Sequence, residues 1–370
     1  MKPLRLISVL YLAVLAAAVI SGCSAATPPT GETDGSNPPS GEISISAERI
    51  RGLGLEGTLV LIRFVNGTPA LFSLDLQTAE FAPLFAPPRG AWITAASASA
   101  AAGKIAMAYS PAPAEGQSQR GFTGISLLPL DGGGQPEEFI RAVEEEALFS
   151  FPEWTPDGSA LYFNRFQFSS EASGVYTPVI GRQPYPEGDE ADLVEFGQWP
   201  RLSWDGRLMV YIGIASGESE GASELLEVLN LAEEGAAPVS VPVGPEVEVL
   251  DVPMFSPDGE MIYFSAPASP AEEPQSGLSM AADWLGFSAA RAHDVPSDWW
   301  RVPVGGGPAA RLTTVGDTGM YGEFSPDGRH LAYISNRGVF VMEPDGSNLL
   351  PLIEAEGFFG TIDWVAAGQQ

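Results

Sequence analysis

Tyr321-Gly-Glu-Phe-Ser-Pro-Asp-Gly-Arg-His-Leu-Ala-Tyr-Ile334 reads as two strands joined by a tight turn. Pro326 presets φ at the second turn position, Asp327 tolerates the third, and Gly328 takes the left-handed fourth. The hydroxyl of Ser325 is placed to cap the turn. Three other segments repeat the pattern: Phe151-Pro-Glu-Trp-Thr-Pro-Asp-Gly158, Trp199-Pro-Arg-Leu-Ser-Trp-Asp-Gly206 and Val252-Pro-Met-Phe-Ser-Pro-Asp-Gly259. Each is followed by an apolar strand, Ala160–Phe163, Leu208–Tyr211 and Met261–Phe264. The turn glycines at 158, 206, 259 and 328 recur at 48, 53 and 69 residues, near the length of a four-stranded propeller blade, with the last interval lengthened by an insertion. The acids of these turns read as turn formers. The large residues before the turns (Trp154, Leu202, Phe255, Phe324) are expected to pack between blades.

Two weaker copies complete the set. Ile93–Gly103 with Lys104–Tyr109 keeps the strand pattern without Pro-Asp, and Gly360-Thr-Ile-Asp-Trp364 matches only the first strand of a repeat. Its missing partners stand at the other end, where Thr58–Phe64, Ala70–Leu76 and Glu80–Phe85 read as three strands lacking an inner one. Pairing the last strand with the first three removes the exposed edges of an open array. The predicted fold class is all-β: a six-bladed β-propeller with closure of one blade by both termini. The expected blades are 58–86 with 358–366, 91–141, 148–196, 198–243, 248–313 and 318–355. Abundant Gly (42) and Pro (33) suit many short strands and turns, and a 45% apolar content is enough to fill a core.

Phe324–Tyr333 and Trp300-Arg-Val-Pro-Val-Gly-Gly-Gly-Pro-Ala-Ala-Arg-Leu-Thr313 resemble the TolB-type, WD40-like propeller repeat. The resemblance spans about residues 55–368. It implies the fold and carries little about function. TolB itself has an extra α/β domain before the propeller, whereas only a short tether is expected here, so its partner does not transfer.

The N-terminus predicts export. Lys2 and Arg5 precede the uncharged, mostly apolar run Leu6–Ile20, the shape of a secretory signal and too short for a stable membrane span. Ile20-Ser-Gly-Cys23 resembles the lipobox of bacterial lipoproteins. That resemblance implies cleavage before Cys23 and lipidation of its thiol, and Ser24 then implies release towards an outer membrane where there is one. Cys23 is the only cysteine, so no intramolecular disulfide forms. The expected organisation is a signal peptide at 1–22, a Pro/Gly/Ser/Thr-rich tether at 23–50 and the propeller at 51–370.

Forty-seven acidic residues against 18 basic ones give a net charge of −29, which repels nucleic acid and anionic headgroups. The same charge suits cationic partners, divalent ions or plain solubility. No metal pair is spaced around His293 and His330, and Gly286-Phe-Ser-Ala-Ala290 fails the nucleophile-elbow pattern at its last position. No cofactor, metal or catalytic residue is therefore expected, and no catalytic domain after the propeller.

Two features could form a site. Glu153, Arg201, Met254, Glu323 and Asp363 occupy one position in successive inner strands. Charge there is costly unless water reaches it, so an axial channel is predicted, holding a cation or basic segment, or simply lined by solvated ion pairs. The second feature is the insertion Ala266–Asp298, with Trp284 and Phe287 as candidate contact aromatics on the loop face, or a loop packed on its own small core. The expected function is a monomeric, lipid-anchored module at the cell envelope that binds an envelope protein or peptide. The alternatives are a glycan-active lyase or hydrolase using the channel carboxylates, and an ion-stabilised spacer.

Overall fold

A computed structural model describes residues 43–114, 123–141, 147–168, 176–215, 223–245, 247, 249–267 and 295–367. Cys23, the signal sequence, most of the tether, Trp284 and Phe287 lie outside the described residues.

In chain order the elements begin with strand β1 (Ser44–Ile45) and helix α1 (Ala47–Gly52). Next come β2 (Thr58–Val65), β3 (Thr68–Asp75), β4 (Phe81–Phe85), then β5 (Trp92–Ser99), β6 (Lys104–Ser110), β7 (Gly124–Pro129) and β8 (Glu137–Ile140). The third group is β9 (Ala147–Trp154), β10 (Ala160–Phe168), β11 (Tyr176–Pro184) and β12 (Ala191–Glu195), and the fourth β13 (Gly197–Leu202), β14 (Leu208–Ala215), β15 (Ser223–Asn230) and β16 (Val239–Ser240). The fifth is β17 (Asp251–Phe255), β18 (Met261–Pro267), β19 (Ser297–Pro303) and β20 (Ala310–Arg311), and the last β21 (Tyr321–Phe324), β22 (Leu331–Ser335), β23 (Gly338–Met342), β24 (Leu350–Glu354) and β25 (Phe358–Val365).

These strands form six antiparallel sheets, one per expected blade. The first blade is ordered β25-β2-β3-β4, so the tail supplies the inner strand of the sheet that the head began. Leu59 faces Trp364 and Leu61 faces Ile362 across that seam. The turns form as their chemistry dictates. Asp157 accepts bonds from the Thr155 hydroxyl (2.7 Å) and from the backbone and hydroxyl of Ser159 (3.0 and 2.7 Å). Ser203–Asp205, Ser256–Asp258 and Ser325–Asp327 repeat the arrangement. The turn glycines 158, 206, 259 and 328 have φ of +69° to +72°.

The core runs between blades. Trp154 donates its indole N–H to the Ser97 carbonyl of the preceding blade (3.1 Å), and Phe324 meets Tyr263 edge-on at 5.0 Å. Phe255 packs with Val210 and Ile212, and Leu202 with Tyr162. All four predicted inter-blade residues are buried.

One boundary is corrected. The tether was expected to run to residue 50, but β1 pairs with β24 as a fifth, outermost strand of the last blade, and Ile50 of α1 is completely buried. Arg49 donates to the Pro351 carbonyl (2.8 Å) and Ser46 N–H to Leu352 (3.4 Å). Apolar Ile43, Ile45, Ile50 and Leu53 drive this docking against the blade-closing core.

Candidate functional site: an axial charge ring

The inner strands of the third, fourth and fifth blades share one irregularity. Two residues on the inner strand oppose one on its neighbour: Phe151-Pro152, Trp199-Pro200 and Val252-Pro253 are skipped in the registers of β9, β13 and β17. Such a bulge re-aims side chains. Phe151, Trp199 and Val252 adopt φ of +47°, +59° and +43°, which is costly for aromatic and β-branched residues, on the order of 1–3 kcal/mol each. Fully buried Asn164 holds one of them. Its carbonyl accepts the Trp199 N–H (2.7 Å) and its amide donates to Gly197 (2.9 Å).

Phe151 and Trp199 from two of these bulges meet Tyr321 of the regularly paired β21. Phe151 lies 5.2 Å from Trp199 and 6.1 Å from Tyr321, and Trp199 lies 6.1 Å from Tyr321, ring centre to ring centre. Each precedes the charged position on its strand, so the trio lies nearer the inter-blade loops than the charge ring does. Sequence reasoning treated them only as parts of a motif. The available signal was a large apolar residue two places before the channel position in all four strong repeats.

Glu153, Arg201 and Glu323, two residues further on in β9, β13 and β21, come together with Asp363 of β25. Arg201 pairs with Glu323 and, at 3.4 Å through Nε, with Glu153, and it donates to the Gly322 carbonyl (3.4 Å). The carboxylates also tie strands together. Glu153 accepts the Leu202 N–H (3.1 Å), Asp363 the Ala98 N–H (2.9 Å), and Glu323 the Phe324 N–H (3.0 Å). Met254 departs from expectation. It is 2% exposed and belongs to the core behind Trp299, while Ser97 takes the corresponding place on β5 beside the cavity. The cavity beside Glu153, Arg201 and Asp363 is about 30 Å³, room for a water or two.

Electrostatics follow from three acids around one base. Burial raises the Glu153 carboxyl to about 7, against the pull of Arg201 and with a push from Glu323. Burial, then Glu323 and Glu153, drive Asp363 well above the usual carboxylate range. Burial opposes the charge on Arg201, but Glu323, Glu153 and Asp363 outweigh it and hold the guanidinium protonated. Outside the ring, burial also raises Glu224 to about 7, whereas the Thr155 hydroxyl and Ser159 lower the turn acid Asp157 to about 2.

The folded chain thus keeps protons on Glu153 and Glu224 that the unfolded chain releases in the ordinary carboxylate range. Their stabilising contribution is complete below that range and is lost as pH rises through about 7. The turn acids act oppositely, losing theirs as pH falls through their lowered values. Thermal melts are therefore expected to peak near pH 5 and to decline by pH 8, on the order of 1–3 kcal/mol in stability. A plateau from pH 5 to 8 would refute the assignment.

Among the described residues no group of three or more His, Cys, Asp or Glu side chains is placed to hold a metal ion, and no helix is long and apolar enough to cross a membrane.

Comparison of the whole fold with solved structures places it among known propellers. The crystal structure of TolB from Acinetobacter baumannii superposes with a TM-score of 0.57 at 16% identity, over 86% of this chain and 70% of that one. The chain has the TolB propeller fold. A putative TolB from Agrobacterium tumefaciens gives 0.53 at 17% identity over 82% and 91% of the two chains, and a puromycin hydrolase 0.50 at 16% over 82% and 46%. At such identities the likeness of this TolB-like propeller to each is one of fold. No protein-family model and no curated protein matches the sequence.

Proposed function

We propose that this chain is a membrane-anchored extracytoplasmic binding module whose propeller docks an envelope protein or peptide on the loop face. The observation that carries this reading is the filled axis. Arg201 and its carboxylates occupy the axis beside three aromatics, so a ligand is expected to lie on a face. The loop face has a concavity. The β2–β3 turn and the connection from β4 to β5 frame a cleft of about 460 Å³ lined by Val65, Asn66, Thr68, Pro87 and Arg89, in the size range of binding sites. The predicted lipobox at Cys23 supports the anchoring half of the proposal.

Site-specific photocrosslinkers at Asn66 and Arg89, and at Asp157 on the opposite face, test it in native membranes with the full chain. A discrete adduct from the loop-face positions alone is expected. Equal labelling from Asp157 would contradict the choice of face. Turnover of a polysaccharide that is lost in an E153Q/E323Q/D363N variant would replace the binding reading with the glycan-active one.

A further inference from the structure

The ring and the aromatic trio are one assembly. Phe151, Trp199 and Tyr321 each sit two residues before Glu153, Arg201 and Glu323 on the same short inner strands, so the backbone that aims the rings also carries the charges. That backbone is strained at Phe151 and Trp199 and stays so only while its surroundings over-determine it. The ring supplies part of that constraint through Glu153 to Leu202 and Arg201 to Gly322.

Charge counting then distinguishes two states. Among the described residues six ionisable groups face the axis or the trio: Glu153 from β9, Arg201 from β13, Asp251 from β17, Tyr321 and Glu323 from β21, and Asp363 from β25. The second blade offers only the neutral Ser97. Tyr321, buried and near Asp251, remains a phenol throughout. Glu323 makes the closest contact with Arg201 and forms an ion pair with it. With protons on Glu153 and Asp363 the ring is neutral. Without them three negative charges surround one positive charge in a cavity that admits a water or two, and mutual repulsion acts on the strands that hold the trio.

We propose that the charge ring and the aromatic trio form a pH-sensitive seal on the channel, closed while the ring holds its protons and loosened as they leave at alkaline pH. The proposal goes beyond the binding reading and does not depend on it, since it concerns access to the axis and not the occupant of the loop face.

Acrylamide is an uncharged quencher whose encounter with tryptophan does not itself depend on pH. The Trp199 contribution is the difference between the full chain and its Trp199→Phe variant. Quenching of that contribution is expected to rise about twofold from about pH 5.5 to 8.5, with a midpoint near the Glu153 value and unchanged far-ultraviolet dichroism. In E153Q/D363N, which fixes the neutral ring, the profile is expected to be flat. Should that double variant fail to fold, D363N alone is expected to show a smaller rise. A flat profile in the native chain, or a variant whose rise matches the native one, would overturn the seal.

Discussion

Replacing Arg201 with methionine will destabilise the propeller by about 3–5 kcal/mol at pH 8, as expected when one partner of a buried charge network is removed. Methionine retains much of the aliphatic stem, so the loss isolates charge more than packing. Glu153, Glu323 and Asp363 would then face one another with no counter-ion, two of them already raised by burial. The penalty should shrink markedly at pH 5, where protonation removes the repulsion. Urea unfolding at both pH values measures it. An equal loss at both would mean that Arg201 acts by packing alone. Adding E323Q to the Arg201 variant should recover part of the pH 8 loss, because the carboxylate closest to Arg201 is the one most harmed by its absence.

A disulfide joining positions 58 and 365 will stabilise the fold by up to about 5 kcal/mol, because it closes nearly the whole chain into one loop. Thr58 and Val365 are direct cross-strand partners at the end of the β2–β25 pairing, a separation that suits a disulfide. The seam between the last blade and the first is crossed twice. The tail crosses it as β25, with Trp364 donating to the Glu56 carbonyl at 2.8 Å, and the head crosses it from β1 on the last blade through α1 to β2. Gly57 marks how tight the crossing is. At φ +99°, a side chain there would come within 2.4 Å of the Val365 carbonyl oxygen. These contacts join residues some 300 apart in sequence, so their formation bears the largest loop-closure cost in the molecule.

How much of this was legible follows the range of the interactions. The Pro-Asp-Gly and Trp-Asp-Gly turns are made by side chains two residues from the backbone they bind, so four blades are legible from the turns and two from weaker copies of the strand pattern. The channel positions of Glu153, Arg201, Glu323 and Asp363 were legible because a two-residue strand period fixes which face each takes. The trio was not, because the left-handed backbone that aims Trp199 depends on Asn164 in the neighbouring blade, 35 residues away. The stretch up to Ile50 reads as tether because the residues before it are rich in Pro and Ser, while the strand partner of Ser44 and Ile45 lies at Ile353 and Glu354. Met254 shared the pattern of the channel residues, yet an apolar side chain finds more contacts in the core beside Trp299 than in a polar cavity.

Closure of the ring by its own tail is what the seal, the loop face and the stability of the seam all require. The direct measurement is oxidation of the full chain carrying Thr58→Cys and Val365→Cys, with peptide mass mapping, beside the two single variants. The account predicts a single intramolecular bond between 58 and 365, formed in the folded chain and accompanied by a higher melting temperature. Thiols that stay free under oxidising conditions, or that pair only between molecules, would contradict it.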